Sequence, residues 1–366
     1  MKNLFTIICC SFLAFGSCIF AASTTQKIER TSYEENNQIC SPTECYTIEK
    51  KLGEGAFGEV FAVTDSQGNE FALKTYKIQE GNLKYNLFSE PEREFSRGQM
   101  LNHPNIIKSY DLFTYESPSN VITQNLVLQL VKGQTLYSTP KHSLSLQNAM
   151  SEAFQLCDAL NYALSFDLMH LDLHPGNVMV TDESEMMVID LASFFTFKEI
   201  VEGFIAFDSA TDTNSYVEDR ISLSAKTPLA SASPEQMTKA SKLQRIFNEN
   251  PTFLKQMQKA KASIEKQSAL QRLGSLSAYS SYEPISDDSI TIYRNAFSQY
   301  YFNMITDMCA RLVSKTDLSR EEKLELRAEI KKIFWNYEED LEDGCEMPLE
   351  HYYETLKNFL GSYTGA

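Results

Sequence analysis

Gly53, Gly55 and Gly58, in the stretch KLGEGAFGEVFAV, stand in G-x-G-x-x-G spacing, and a strand pattern follows them where a helix might have stood. That order constrains the fold more than any other feature. In a dinucleotide-binding βαβ unit the glycines open directly into a helix whose N-terminus takes the pyrophosphate. Here EVFAV, a turn at DSQGN and the strand EFALK read as a hairpin. Its tip can cover phosphate groups with backbone N–H donors. Taken alone, the same spacing also marks an ordinary turn.

Lys74 adds chemistry to the hairpin. It ends the strand EFALK, and period-two alternation puts Ala72 and Lys74 on one face, beneath the glycine loop. A small residue there leaves room for a flat base, and the ammonium can reach phosphate oxygens. Further on, SEPEREFSRGQM reads as a helix, with Ser89 as N-cap and Glu92 in capping-box spacing. Glu94 lies on it. Gly98 weakens that helix by about 1 kcal/mol relative to Ala, which suits either a helix that shifts or a close packing contact.

The stretch LMHLDLHPGNVMV gathers His170, Asp172, His174 and Asn177 between hydrophobic flanks. A metal site, a phosphate-transfer loop and a chemically idle polar turn all fit that composition. Ahead of it, Met150, Phe154, Cys157, Leu160 and Leu164 form a helical stripe; behind it, MMVIDLA is a buried strand pattern ending in Asp190. A zinc site finds no support, because no second close pair of Cys or His follows at ligand spacing.

Taken in order, these segments resemble the protein kinase family. FALK stands for the usual V-A-I-K, Glu94 precedes HPNII, LVLQLVKGQTL is similar to the fifth strand and hinge, HLDLHPGN to H-R-D-L-K-P-x-N, and Asp190 stands where D-F-G begins. The resemblance is to eukaryotic-like Ser/Thr kinases of the bacterial kind; the DLHPGN stretch is also similar to aminoglycoside and choline phosphotransferases. It implies an α+β, two-lobed fold, with a β-rich lobe over residues 46–131 and a helical lobe over 132–363. It further implies ATP and Mg²⁺, and a protein acceptor. Asp172 would be the catalytic base. Lys74 would hold the α- and β-phosphates, paired with Glu94. Asn177 and Asp190 would supply oxygen ligands to the metal. Nucleotide-binding positions would be Leu52, Gly53, Glu54, Gly55, Ala56, Phe57, Gly58, Val60, Ala72, Gln129 and Val131, with Leu128 as gatekeeper.

Departures from the family pattern narrow the regulation and the acceptor to be expected. Leu171 replaces the Arg that pairs with a phosphorylated activation segment, so that switch is not expected. Leu191 and Ala192 follow Asp190 in place of Phe and Gly, and His174 replaces Lys. TPLASASPEQM, with Ser233, Pro234 and Glu235 for A-P-E, resembles the end of an activation segment and favours a protein acceptor. Residues 238–275 read as polar helix. A small-molecule phosphotransferase and a nucleotide-binding pseudokinase scaffold stay open as alternatives.

The formal charge of −16 offers no basic footprint for nucleic acid. Residues 1–22 place Lys2 before an apolar run that ends in small residues at Ala21 and Ala22, the pattern of a signal peptide. Export is therefore expected, with action inside a host cell and no stable membrane insertion once the leader is removed. The alternative is an uncleaved membrane anchor. Residues 23–45 read as a linker. Within it, Cys40 and Cys45 are close enough to pair in an oxidising compartment, and Cys157 reads as core. Near the C-terminus, Ser319 and Glu322 have capping-box spacing, and Leu326, Ile330, Ile333, Tyr337 and Leu341 share one face of the adjoining helix. Trp335 in that helix reads as packing.

Overall fold

The computed structural model describes residues 33–55, 58–77, 90–117, 122–140, 144–201, 203–204, 243, 246–274, 287–342 and 349–364. The leader, Ala56, Phe57, Ser89 and the 227–237 segment lie outside them. The chain divides into two compact units, with boundaries after Leu83, Lys108 and Leu130.

The first unit is one six-stranded antiparallel sheet in the order β1-β2-β3-β4-β6-β5. Its strands are β1 (Gln38–Cys40), β2 (Cys45–Gly55), β3 (Gly58–Thr64), β4 (Glu70–Lys77), β5 (Ser109–Glu116) and β6 (Ile122–Gln129). Alternation decides what each face does. Phe61, Val63, Leu73 and Val127 point to one side and build a core with Ile39, Tyr46, Ile48 and Phe113. Tyr46 and Phe113 stack there at 6.0 Å between ring centroids. Val60, Ala62, Ala72, Lys74, Leu126 and Leu128 are the cross-strand partners that alternate with them, on the opposite face. β1 falls inside the span read as a linker. Three residues are too few for an alternation signal, yet β1 extends the sheet past β2, and a disulfide joins its Cys40 to Cys45.

The second unit is mainly helical. Its longer helices among the described residues are α1 (Glu90–Met100), α2 (Leu146–Leu164), α3 (Pro251–Gly274), α4 (Asp287–Ser314), α5 (Arg320–Glu342) and α6 (Leu349–Gly361). It also holds a small sheet of β7 (Gly133–Thr135), β9 (Val178–Thr181) and β10 (Met186–Val188), and a pair of β8 (Leu168–His170) and β11 (Phe194–Thr196). Ser145 caps α2 by accepting the Asn148 N–H. Met150, Ala153, Leu156, Cys157 and Leu160 are fully buried as α2 packs on β8, β10, α4 and α6. Cys157 is core, its Sγ 3.7 Å from that of Cys309 on α4.

α1 lies within the span assigned from sequence to the small lobe, but it clusters with the helical unit. The cause is local. Arg93 Nε donates to the Ala192 carbonyl at 2.9 Å, its guanidinium lies over the Phe195 ring, and Arg97 pairs with Glu199 at 3.2 Å. On α5 the capping box forms as expected: Glu322 accepts the Ser319 N–H, and Ser319 Oγ accepts the Glu322 N–H. Leu326, Ile330 and Phe334 are buried, whereas Trp335 is 54% exposed and is not part of the core. Among the described residues no helix is long and apolar enough to cross a membrane.

Candidate active site

On the sheet, three residues are aligned across adjacent strands: Gly53 pairs with Val60, and Val60 pairs with Lys74. One step along, Ala72 lies between Ala62 and Leu128, and Gln129 ends β6 opposite Phe71. The face that the sequence assigns to a nucleotide thus carries small and branched residues around the Lys74 ammonium. The Lys74 ammonium rests 5.2 Å from the Tyr76 ring centroid, two residues along the same face. Register shifts between Ile48 and Lys50 and between Lys51 and Gly53 break the β2 ladder just before the glycines. Irregularities of this kind re-aim a strand end. Gly58 is needed for a close approach, since a Cβ there would overlap the Thr75 carbonyl. Lys51 bridges Glu54 at 2.8 Å and the buried Glu59 at 2.6 Å, so Glu54 is held by an ion pair within the loop.

In the helical unit the loop after β8 carries the other expected residues. His170 is fully buried, with its Nε2 3.1 Å from the Ile189 carbonyl and its ring edge-on to Phe194. It is a packing residue of the loop. The Asn177 side-chain amide donates to the Asp172 carbonyl at 2.8 Å, and the Asn177 carbonyl accepts the Ile189 N–H at 3.0 Å. One residue therefore ties the candidate base to the strand that leads into Asp190. Asp190 adopts a left-handed conformation, φ 61° and ψ 60°, and its carboxylate accepts the Ser193 hydroxyl. A non-glycine residue there is uncommon and costs free energy, which suits a functional position. His174 is exposed, and its Nδ1 accepts the Gly176 N–H at 3.0 Å. Leu171, in place of the family's Arg, is 2% exposed and belongs to the core. Glu94 is buried on α1.

Residues that the sequence reading did not single out hold this loop. Tyr301 on α4 accepts the His170 N–H. Its ring stacks on Phe297, and Phe297 meets Phe253 of α3, which stacks on Tyr300 at 4.3 Å. A cavity of about 660 Å³ opens beside the loop, with Asp172, His174, Glu249, Phe253, Tyr300 and Arg311 among its lining residues. Burial, with Asp172 and Glu249 adding to it, pushes the Tyr300 phenol up to about 12. The aromatic residues were visible in the sequence, but nothing in their spacing tied them to the loop. Val131 follows β6. Ala56 and Phe57 are outside the described residues.

Asn177 and Asp190 offer an amide oxygen and a carboxylate, the hard oxygen donors that Mg²⁺ takes. No cluster of three or more His, Cys, Asp or Glu side chains suited to a metal occurs among the described residues. The pair fits a cation that completes its shell with water and substrate phosphates, as Mg²⁺ commonly does.

Comparison with known proteins bears on the same segments. Mouse death-associated protein kinase 2 is 33% identical over 182 residues, 48% of this chain and 48% of that protein. PknA, a serine/threonine-protein kinase of Mycobacterium tuberculosis, is 30% identical over 154 residues, 40% of this chain and 34% of its own length. The probable serine/threonine-protein kinase glkA of Dictyostelium discoideum is 28% identical over 148 residues, 40% of this chain and 29% of its own. The chain thus spans about half the length, or less, of the curated relatives it matches. The family profile described as "Protein kinase domain" matches residues 46–315, which run from β2 to the end of α4 and take in the glycine turn, Lys74, the loop after β8 and Asp190. With well over half of its length inside that match, the chain belongs to the protein kinase family.

Proposed function

We propose that the protein transfers the γ-phosphate of ATP to a serine or threonine hydroxyl of a protein acceptor. The observation that supports this reading is the double attachment of Asn177, by its side chain to the Asp172 carbonyl and by its own carbonyl to the Ile189 N–H, which ties the main chain of the candidate base to the strand that leads into Asp190. Phosphoryl transfer needs positioning and charge neutralisation more than covalent chemistry, so rigidity of this kind is what it requires. Asp172 orients the acceptor hydroxyl and takes its proton. Lys74 holds the α- and β-phosphates. Backbone N–H groups around Gly53, Gly55 and Gly58 cover the phosphates. Val60 and Ala72 form the apolar bed of the base, and the main chain from Gln129 to Val131 meets its polar edge. Asn177 and Asp190 would hold Mg²⁺, which would supply positive charge against the phosphate oxygens.

Export is part of the proposal. The composition of residues 1–22 and the Cys40–Cys45 disulfide support passage through an oxidising space. Because ATP is scarce outside cells, the mature protein then works where ATP is present again, inside a host cell. N-terminal sequencing of secreted protein should find cleavage near Ala21 or Ala22; an intact Met1 with reduced cysteines would refute export.

The test of activity is labelled ATP offered to protein, peptide and small-molecule hydroxyl acceptors. Asp172→Asn should lower transfer by about 10²-fold or more while leaving ATP binding nearly unchanged. Nucleotide binding without transfer to any acceptor would favour a scaffold. Transfer to small molecules alone would favour the phosphotransferase alternative.

A further inference from the structure

Four cysteines lie among the described residues and form two pairs of different kind. Cys40 and Cys45 are joined at the edge of the sheet, where Cys40 is exposed and Cys45 half-buried. Cys157 and Cys309 are thiols, 152 residues apart in sequence and 3.7 Å apart between their Sγ atoms. Both are fully buried where α2 packs on α4. That separation is van der Waals contact, and a disulfide needs about 2 Å. The remaining gap, about 1.7 Å, is within reach of side-chain rotation and a slight approach of the two helices. Cys309 stands about two turns beyond Tyr301, whose hydroxyl accepts the His170 N–H, so the contact lies on the helix that positions the loop of Asp172 and Asn177.

We propose that Cys157 and Cys309 are a modification site that closes into a disulfide in an oxidising compartment and staples α2 to α4. The inference draws on the proposed export for its oxidant, a disulfide of low molecular weight such as oxidised glutathione. The thiolate of one cysteine attacks that disulfide and releases half of it as a thiol; the second cysteine attacks the mixed disulfide at the first and releases the other half. One S–S bond forms as one breaks, and the two electrons lost by the cysteines reduce the oxidant to two thiols. Closure belongs to folding. Contact with Cys309, together with burial, pushes the Cys157 thiol well above the ordinary thiol range, and the thiolate is the attacking form, so the packed pair reacts slowly. In the incompletely folded chain, before α6 seats on α2 and Lys357 pairs with Asp158 at 2.8 Å, both thiols are open to the oxidant. The loop so closed is long, which is where a cross-link restricts the unfolded chain most. Once formed, the bond is shielded from other thiols, whereas Cys40–Cys45 is open to them. The staple therefore survives a return to a reducing space that opens the exposed pair.

The experiment maps the bonds directly. Full-length protein, reduced and unfolded, is refolded in mixtures of reduced and oxidised glutathione, the oxidised share being raised until Cys40–Cys45 is fully closed. It is then alkylated in denaturant, digested without reductant and read by mass spectrometry. Peptides carrying Cys157 and Cys309 should appear joined to each other. Recovery of both as alkylated thiols, with Cys40–Cys45 closed in the same sample, would overturn the inference. Oxidation should also raise the urea midpoint by about 1 M or more, and Cys309→Ala should lose most of that rise. The mapping needs no variant, so it decides the matter even where Cys309→Ala fails to fold. Reduced glutathione added to the closed, native protein should open Cys40–Cys45 first, and equal rates of opening would refute the shielding. Closure on refolding beside an intact Met1 and reduced cysteines in cells would refute export and leave the site. A cleaved leader without closure on refolding would do the reverse.

Discussion

The hydroxyl of Tyr301 accepts the backbone N–H of His170 at 3.3 Å, joining the middle of α4 to the strand that leads into the loop of Asp172 and Asn177. Both residues are fully buried, so the N–H has no water to turn to if the hydroxyl is removed. α4 is thus a positioning element for a loop that lies about 130 residues earlier in sequence.

Tyr301→Phe keeps the ring stacked on Phe297 and removes the hydroxyl, which accepts the His170 N–H and also meets the Tyr353 phenol. Leaving a buried donor unsatisfied costs about 1–3 kcal/mol. Urea unfolding should therefore show a lower midpoint at unchanged slope. A midpoint equal to wild type would mean that the His170 N–H is satisfied elsewhere.

Gly58→Ala places a methyl group against the Thr75 carbonyl, a backbone atom that cannot rotate away. β3 must then separate from β4 next to the Val60–Lys74 pair. ATP affinity should fall by about tenfold or more, since displacements of ångström scale at a binding site are costly. Isothermal titration reads the loss, and an unaltered affinity would show that the phosphate cover does not need this approach.

Asp190→Asn keeps the side-chain shape but removes the charge proposed to bind the metal. Mg²⁺-dependent transfer should fall by about 10²-fold or more, with nucleotide binding no longer responding to added Mg²⁺. A Mg²⁺ response equal to that of wild type would remove Asp190 from the metal site.

Glu152 is fully buried in α2, and neither carboxylate oxygen has a hydrogen-bond partner among the described residues. Burial raises its pKa from 4.5 to about 7. Between those values the folded protein holds a proton that the unfolded chain releases. Its contribution is therefore complete below the unfolded value and is lost as pH rises to about 7. The loss is on the order of 2–3 kcal/mol. Thermal unfolding at about pH 5 and about pH 8 should show this decline, and Glu152→Gln should flatten it. An equal decline in the variant would assign the effect to other groups.

The sequence was most legible where chemistry and periodicity coincide. Ala72 and Lys74 share a face because a strand has a period of two, and β4 keeps that period without a bulge. Asp172, Asn177 and Asp190 stood out because polar residues between buried strands need a reason to be there. β1 was hidden, because three residues carry no alternation and its place depends on pairing with β2. The seat of α1 was hidden for another reason: Arg93 looks like a surface residue until Ala192 and Phe195 fold beneath it. α4 buries residues on several sides, among them Phe297, Tyr301, Phe302 and Ile305, so no single stripe announced its partners. Glu249 and Tyr300 reach Asp172 through tertiary folding alone.

The chain has one tryptophan, and it sits half-exposed on α5. An indole already about half in water emits at longer wavelength in the native state than a buried one, so denaturation shifts its spectrum less. Intrinsic tryptophan fluorescence is thus nearly blind to loss of the phenylalanine- and tyrosine-rich core. Unfolding of this protein is better followed by far-ultraviolet dichroism or tyrosine absorbance. Conversely, a change in Trp335 emission while dichroism stays constant reports events on the outer surface of α5, next to Phe334 at the cavity wall.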